Sequence, residues 1–190
     1  MVRKESGWVT MSSLDALHSV GLEPTELAAK EGLSLINGTS QMCAYLALTI
    51  VNLEKLVFAA DSSAATSLEA IKGSHSPFDA RIHDNRPQIG QSISAARISA
   101  LLKDSEIKIS HVDCNRVQDA YCFRCAPQVH GPVIDLLTET RRMLEIEINS
   151  ATDNPLVFID GEDVDVISGG NFHGQNLSLI HISEPTRRVR

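Results

Sequence analysis

The chain has 190 residues, 43% of them hydrophobic and 22% charged, with a formal net charge of −7. That is ordinary for one domain with a sizeable core. The acidic balance and the lack of a Lys/Arg block exclude a surface that tracks phosphate backbones, because nucleic-acid affinity is dominated by phosphate neutralisation; no nucleic-acid partner is expected.

The N-terminus carries Arg3 and Lys4 but no apolar stretch of signal-peptide length. The longest apolar run, Met42 to Val51, is interrupted by Thr49 and followed by Asn52, Glu54 and Lys55. It falls short of the roughly 20 residues that a bilayer requires, so no membrane association is expected. Ser12, with Asp15 three positions on, is the signature of an N-cap opening a short helix that stops at Gly21. Pro24 opens a second helix ended by Gly32. Asn37-Gly38-Thr39 is turn chemistry, and Thr39 is placed to cap a buried helix over Gln41 to Ala60. A separate helical piece with Leu68 and Ile71 follows Asp61 and ends at Gly73. Pro87 suits a first helical position, with Ile89, Ile93, Ala96 and Ala100 as the apolar stripe behind it.

The longest regular pattern covers Pro132 to Ser150, where Val133, Leu137, Leu144 and Ile148 share one face. Asp153-Asn154-Pro155 stops it. Leu156 to Ile159 and Val164 to Ile167 are β-type runs around Asp160-Gly161-Glu162-Asp163, which predicts a hairpin. The fold class is therefore mainly α with one small β-hairpin near 156–167.

Four cysteines, Cys43, Cys114, Cys122 and Cys125, are too few and too unevenly spaced for a secreted disulfide framework. They are expected as reduced packing thiols of a cytoplasmic protein. Cys122 and Cys125 form a Cys-x-x-Cys pair, but a zinc site needs further ligands and a thioredoxin-like motif needs a βαβ setting. No metal is expected.

Gln118, Tyr121 and Arg124 recur at intervals of three, so a helical or turn-like backbone can point them to one side. A guanidinium beside a phenol suits a small carboxylate substrate: the planar fork takes the carboxylate, and the phenol can move a proton. The competing reading is that Gln118 and Arg124 cap loops while Tyr121 fills core.

Several strings decide between these readings. They are Lys30 through Thr39; Pro77-Phe78-Asp79-Ala80-Arg81-Ile82-His83; Val117 through Gly131; Glu145-Ile146-Glu147 with Asn149 through Pro155; and Gly169-Gly170-Asn171-Phe172-His173. In this order they resemble the aromatic amino acid lyases, in wording the histidine ammonia-lyase group, over about Gly21 to Gln175.

The resemblance implies part of a long-helix subunit of a homotetramer acting on an amino acid, eliminating ammonia from L-histidine to give urocanate. It implies catalytic roles for Tyr121, Asn37 and Gln118, with Asn37 beside a methylidene-imidazolone that the family makes from its own Ala-Ser-Gly backbone. Arg124 is implied to bind the substrate carboxylate and Phe172 to line the pocket. His83 is expected to be a structural or surface histidine, and His173 to shape the pocket without touching substrate.

No Ala-Ser-Gly occurs in the 190 residues, so an internal fragment, inactive alone, is expected. Phenylalanine or tyrosine ammonia-lyases and aminomutases share the scaffold and remain the alternative, as does a non-catalytic helical module. From Leu177 the wording resembles a translated sequencing-library adapter. The expected organisation is a partial lyase domain over 1–176 and a non-native tail over 177–190.

Overall fold

The structure is a computed structural model that describes residues 2–4, 7–110 and 116–179. It divides into two compact units, Met1–Gly38 and Thr39–Arg190.

In the first unit, strands β1 (Val2–Lys4) and β2 (Gly7–Val9) pair antiparallel. Helix α1 covers Ser13–His18, and the Ser12 hydroxyl accepts the Asp15 N–H at 3.1 Å, the N-cap that the sequence signals. The helix expected from Pro24 to Gly32 does not form. Residues 22–28 are irregular, Lys30 takes a left-handed φ of 73°, and α2 starts only at Glu31, running Glu31–Ile36 with Gly32 inside it. The Glu31 carboxylate accepts the Ala28 N–H at 2.7 Å and so closes the turn in front of α2. A Pro followed by helix formers is a weak start when a local side chain-to-backbone bond stabilises a turn instead.

The second unit is built on three helices. Helix α3 runs unbroken for 31 residues, Ser40–Ala70, so the two expected pieces are one. Neither Gly nor Pro interrupts it, and its polar middle is tolerated because Ser62 and Thr66 return their hydroxyls to the carbonyls of Phe58 and Ser62, each at 2.9 Å. Thr39 is its N-cap residue, but the Thr39 side chain makes no capping bond. After a 3₁₀ turn (Ser76–Phe78) come α4 (Ala80–Asp84), α5 (Ile89–Leu101) and α6 (Glu106–Ile109). A single turn, α7 (Tyr121–Arg124), then precedes the 22-residue α8 (Ala126–Glu147). This last helix starts six residues earlier than the pattern placed it, with Pro127 in the first turn and Pro132 inside. Proline suits a first turn because its missing N–H is an orphan there; inside a helix it removes one i→i−4 bond.

Helices α3, α5 and α8 pack on one another. Two small cores result. One joins Ala65, Leu68, Phe78, Ile98, Leu102 and Ala126; the other joins Cys43, Ile50, Leu144 and Leu177. The buried face of α5 is Gln91, Ser94, Ala95 and Ile98, whereas Ile89 and Ile93 of the expected stripe are 72% and 39% exposed. A polar cluster explains the choice. Asp61 of α3, wholly buried, accepts from Ser94 Oγ at 2.6 Å, Arg97 Nη1 at 2.8 Å and His130 Nδ1 at 2.8 Å, linking all three helices.

The Glu31–Ala70 stretch is long and apolar enough to cross a membrane by length and composition. Two of its acidic groups, however, are engaged by neighbouring helices, Glu54 by Arg141 and Asp61 by Arg97 and His130, as befits a helix packed in a bundle. The expectation that its first half is deeply buried is not met in the single chain, where Tyr45, Leu48, Leu56 and Phe58 are all more than half exposed.

After α8, an Asn154–Pro155 cis peptide leads into β3 (Leu156–Asp160) and β4 (Asp163–Ile167), antiparallel with Leu156 opposite Ile167 and Asp160 opposite Asp163. This is the expected hairpin, turned at Gly161 with φ 62°. The short α9 (Gln175–Ser178) brings Leu177 into the second core. Of the expected tail, residues 180–190 lie outside the described residues.

Helices α5 and α8 meet backbone to backbone at Gly90 and Gly131. A Cβ on Gly90 would fall 2.0 Å from the Gly131 carbonyl oxygen, and one on Gly131 would fall 2.4 Å from the Gln91 nitrogen. Both obstacles are backbone and cannot move aside. Gly131→Ala is therefore expected to destabilise the helical signal by about 2–3 kcal/mol in urea unfolding, whereas Gly169→Ala, which meets nothing within 4 Å, stays within about 0.5 kcal/mol. Equal midpoints for the two variants would contradict the crossing.

Candidate active site

The Arg116–Arg124 segment reaches the bundle through one buried carboxylate. Asp119 is 7% exposed; its Oδ2 accepts the Ser74 N–H at 2.6 Å and its Oδ1 accepts from Arg116 Nη1 at 3.1 Å. The Ser74 bond and then the Arg116 guanidinium hold this carboxyl below its ordinary range, against the opposing effect of burial.

The same residue sets Arg124. The Asp119 carbonyl accepts from Arg124 Nε at 3.0 Å, and the guanidinium carbon sits 5.6 Å from the centroid of the Tyr121 ring. That is cation–π distance. The α7 turn thus brings Tyr121 and Arg124 together, as the spacing predicts, with the phenol 72% exposed.

Gln118 is placed differently. It lies on the wall of a half-open cleft of about 950 Å³ together with Ser74, Lys108, Arg116 and Asp119, a cleft that Tyr121 and Arg124 do not line. Another wall of that cleft is fastened by Glu69, whose carboxylate accepts from Ser105 Oγ at 2.6 Å and pairs with His75 Nε2 at 2.7 Å; these bonds, the Ser105 one foremost, hold it below its usual range.

Asn37 ends α2 in the first unit, its N–H donating to the Leu33 carbonyl at 2.8 Å. Phe172 is half-buried in the loop before α9. Around it the His173 N–H reaches the Gly170 carbonyl at 2.9 Å, Asn171 Nδ2 reaches the Ala151 carbonyl at 3.3 Å, and the Gly169 N–H reaches Asn154 Oδ1 at 2.8 Å. Two of the motif strings are thereby stitched together. Among the described residues no hydrogen bond or ring contact joins Phe172 to Tyr121 or Arg124.

His83 is buried at 2% exposure. Its Nδ1 accepts from Gln91 Nε2 at 3.0 Å, so Nε2 carries the proton donated to the Pro77 carbonyl at 3.1 Å. It is a structural histidine. Among the described residues no group of three or more His, Cys, Asp or Glu could hold a metal ion. Of the cysteines, Cys43 is a packing thiol, but Cys122 is exposed and Cys125 only half-buried, contrary to the expectation for all four; Cys114 lies outside the described residues. The sequence pattern gave Asp119 no role, although a carboxylate between Gln118 and Tyr121, in a segment whose Phe123 packs against the first core, was the available signal.

A mainly helical chain with a phenol–guanidinium pair held on a carboxylate-anchored turn is the class of molecule these features define. The sequence profile of the aromatic amino acid lyases matches residues 4–180, and the chain belongs to that family. It is 51% identical over 169 residues to the histidine ammonia-lyase of Myxococcus xanthus, covering 89% of this chain and 33% of that protein. The crystal structure of histidine ammonia-lyase from Trypanosoma cruzi superposes with a TM-score of 0.73 at 43% identity, covering 87% of this chain and 30% of that one. Phenylalanine ammonia-lyase from Rhodosporidium toruloides gives 0.77 at 32% identity, covering 94% of this chain and 27% of that one. The chain spans about a third of the length of the curated relatives it matches.

Because the folded-state proton affinity of Asp119 lies below that of an unfolded aspartate, its stabilisation is full above about pH 4 and is lost as pH falls through the lowered folded value. Asp119→Asn is expected to lower stability at pH 7 by roughly 1–2 kcal/mol and to flatten the acid limb of the stability profile below pH 4. Parallel acid limbs for variant and parent would show that the carboxylate does not hold the segment.

Proposed function

We propose that this chain is the central section of a histidine ammonia-lyase subunit, carrying the part of the site that receives the amino acid. The observation that carries the reading is the Tyr121–Arg124 pair. With Nε committed to the Asp119 carbonyl, the guanidinium keeps its two terminal nitrogens to take a substrate carboxylate through a bidentate fork. The adjacent phenol is then held beside the bound amino acid, where it can carry a proton to or from it. Gln118 is assigned a catalytic part from the cleft wall it occupies, Phe172 an apolar wall for the substrate ring, and Asn37 a place beside the electrophile.

Eliminating ammonia is difficult because an amine leaves poorly and a β-proton is weakly acidic, so the family relies on an electrophilic methylidene-imidazolone. That group is made from an Ala-Ser-Gly segment, and none occurs in the 190 residues. The residues present do not form it, and their own contribution is binding, orientation and proton handling.

In this reading the working particle is a cytoplasmic homotetramer, the substrate is L-histidine and the product urocanate. Residues 1–176 are the lyase section and the segment from Leu177 a non-native tail. The identities near 50% to histidine ammonia-lyases favour histidine over the phenylalanine and tyrosine alternatives.

The 190-residue polypeptide alone is expected to give no urocanate absorbance above a protein-free blank when incubated with L-histidine. When residues 21–176 replace the matching section of the Myxococcus xanthus enzyme, urocanate formation is expected. In that chimera Tyr121→Phe should lower kcat by on the order of 100-fold or more, and Arg124→Lys should mainly raise KM by loss of the bidentate fork. Turnover of phenylalanine or tyrosine in place of histidine would sink the histidine assignment, and an unchanged kcat in Tyr121→Phe would remove the phenol from the chemistry.

A further inference from the structure

We propose that Cys122 and Cys125 form a reversible thiol–disulfide site wrapped around the Arg124 turn. The pair is not absorbed by the lyase reading, in which neither sulfur has a part. Three observations bear on it.

The first is access. Cys122 is exposed and Cys125 half-buried, whereas Cys43 is buried in the second core. Thiol chemistry depends on access, so the outer thiol is open to a solution reagent and Cys43 is not.

The second is geometry. Residues 121–124 form a helical turn closed by the Cys125 N–H to the Tyr121 carbonyl at 3.0 Å. Residues three apart on a helical turn have Cα atoms roughly 5 Å apart, inside the roughly 4.4–6.8 Å that a disulfide spans, while their Cβ atoms, roughly 5–6 Å apart, close by about 1–2 Å as the bond forms. The Cys125 side chain already folds back over this turn, its Sγ 3.9 Å from the Cys122 carbonyl oxygen.

The third is the junction. Cys125 is both the C-cap of α7 and the N-cap of α8. One thiol therefore stands on the fixed end of a 22-residue helix, and the other stands on the short turn that carries Tyr121 and Arg124. A bond between them would close a loop containing only Phe123 and Arg124. It would restrain the backbone from which the guanidinium projects.

The chemistry balances with a small-molecule disulfide as oxidant. The Cys122 thiolate attacks one sulfur of the reagent, expels one thiolate and leaves a mixed disulfide. The Cys125 thiolate then attacks Cys122 Sγ and expels the second. The two protein thiols are oxidised, the reagent is reduced to two thiols, and the two protons pass to the departing thiolates. A dithiol reductant reverses both steps. The proposal stands independently of the lyase reading; where Arg124 does take a substrate carboxylate, the same bond is a redox control on that site.

The test uses the full 190-residue chain incubated with oxidised glutathione, quenched with acid, blocked with an alkylating reagent and digested with trypsin without reduction. Cleavage after Arg116, Arg124 and Arg141 places Cys122 in the peptide 117–124 and Cys125 in the peptide 125–141. The expected result is these two peptides joined by a disulfide, no net glutathione adduct on either, and their separation after dithiothreitol. Two of the four thiols should be lost together, and Cys125→Ser should replace the cross-link by a glutathione adduct on Cys122. Glutathione retained on Cys122 of the parent chain, a cross-link through Cys114, or both thiols still free at excess reagent would each overturn the proposal. None of these outcomes depends on whether the chain belongs to an active lyase.

Discussion

The bundle depends on a backbone contact without side chains. Where the first turn of α5 crosses α8, Gly90 meets Gly131, with each glycine's missing Cβ occupied by the other helix's main chain. Asp135, one turn further along α8, accepts the otherwise orphaned Gly90 N–H at 2.7 Å, so the crossing is fixed by a cap as well as by shape. The approach aligns Gln91, Ser94, Ala95 and Ile98 with the interior. It also sets where Arg97 and His130 meet Asp61 of α3. A bulkier residue at either glycine would separate two helices along their length, not merely create a local clash.

Buried carboxylates do the next level of organising, and they do it at different depths. Asp61 lies inside the three-helix packing, compensated by one hydroxyl, one guanidinium and one imidazole. Such a group contributes little net stability but makes other arrangements of the same helices costly, since they would leave the charge unpaired. Asp119 acts at the bundle's edge. Its side chain fastens the segment to Ser74 while its carbonyl orients Arg124, so one residue converts the rigidity of the bundle into the direction of a side chain in a loop. That division of labour between a rigid scaffold and a positioned loop is how sites are held to useful tolerance.

Much of this was legible in the sequence where chemistry is local. The Ser12 cap, the hairpin around Gly161 and the facing of Tyr121 and Arg124 follow from side chains acting within a few residues. The errors fall where distant partners decide. Asp61 reads as a polar stop, and only Arg97 and His130, 36 and 69 residues away, make it an interior residue of one long helix. Ile89 and Ile93 of α5 outrank Gln91 and Ser94 in hydrophobicity, yet the Gly90–Gly131 contact and the Asp61 cluster turn the latter pair inward with Ile98. The helical pattern begins at Pro132, where the apolar stripe becomes regular, although Pro127, equally suited to a first turn, stands at the start of α8 six residues earlier. As for the site, Gln118 shares the spacing of Tyr121 and Arg124 but precedes the helical turn, so periodicity alone could not place it on a different wall.

The exposure of the phenol bears on what the section can do unaided. A guanidinium attracts a carboxylate weakly in bulk water, by about 1 kcal/mol at 4 Å, and several-fold more strongly where the effective dielectric falls. At 72% exposure Tyr121 works in the first regime. Proton transfer to a poor leaving group and carboxylate clamping both gain from water exclusion, and nothing among the described residues covers the α7 turn. The exposed apolar side chains of α3, Tyr45, Leu48, Leu56 and Phe58, carry the same physical demand, since a surface of that kind is costly to leave in contact with water. A polypeptide spanning a third of its relatives' length thus presents the Tyr121 side of this turn to water. Its orientation is encoded locally by Asp119, whereas its electrostatic reach is set by the dielectric of the medium around it.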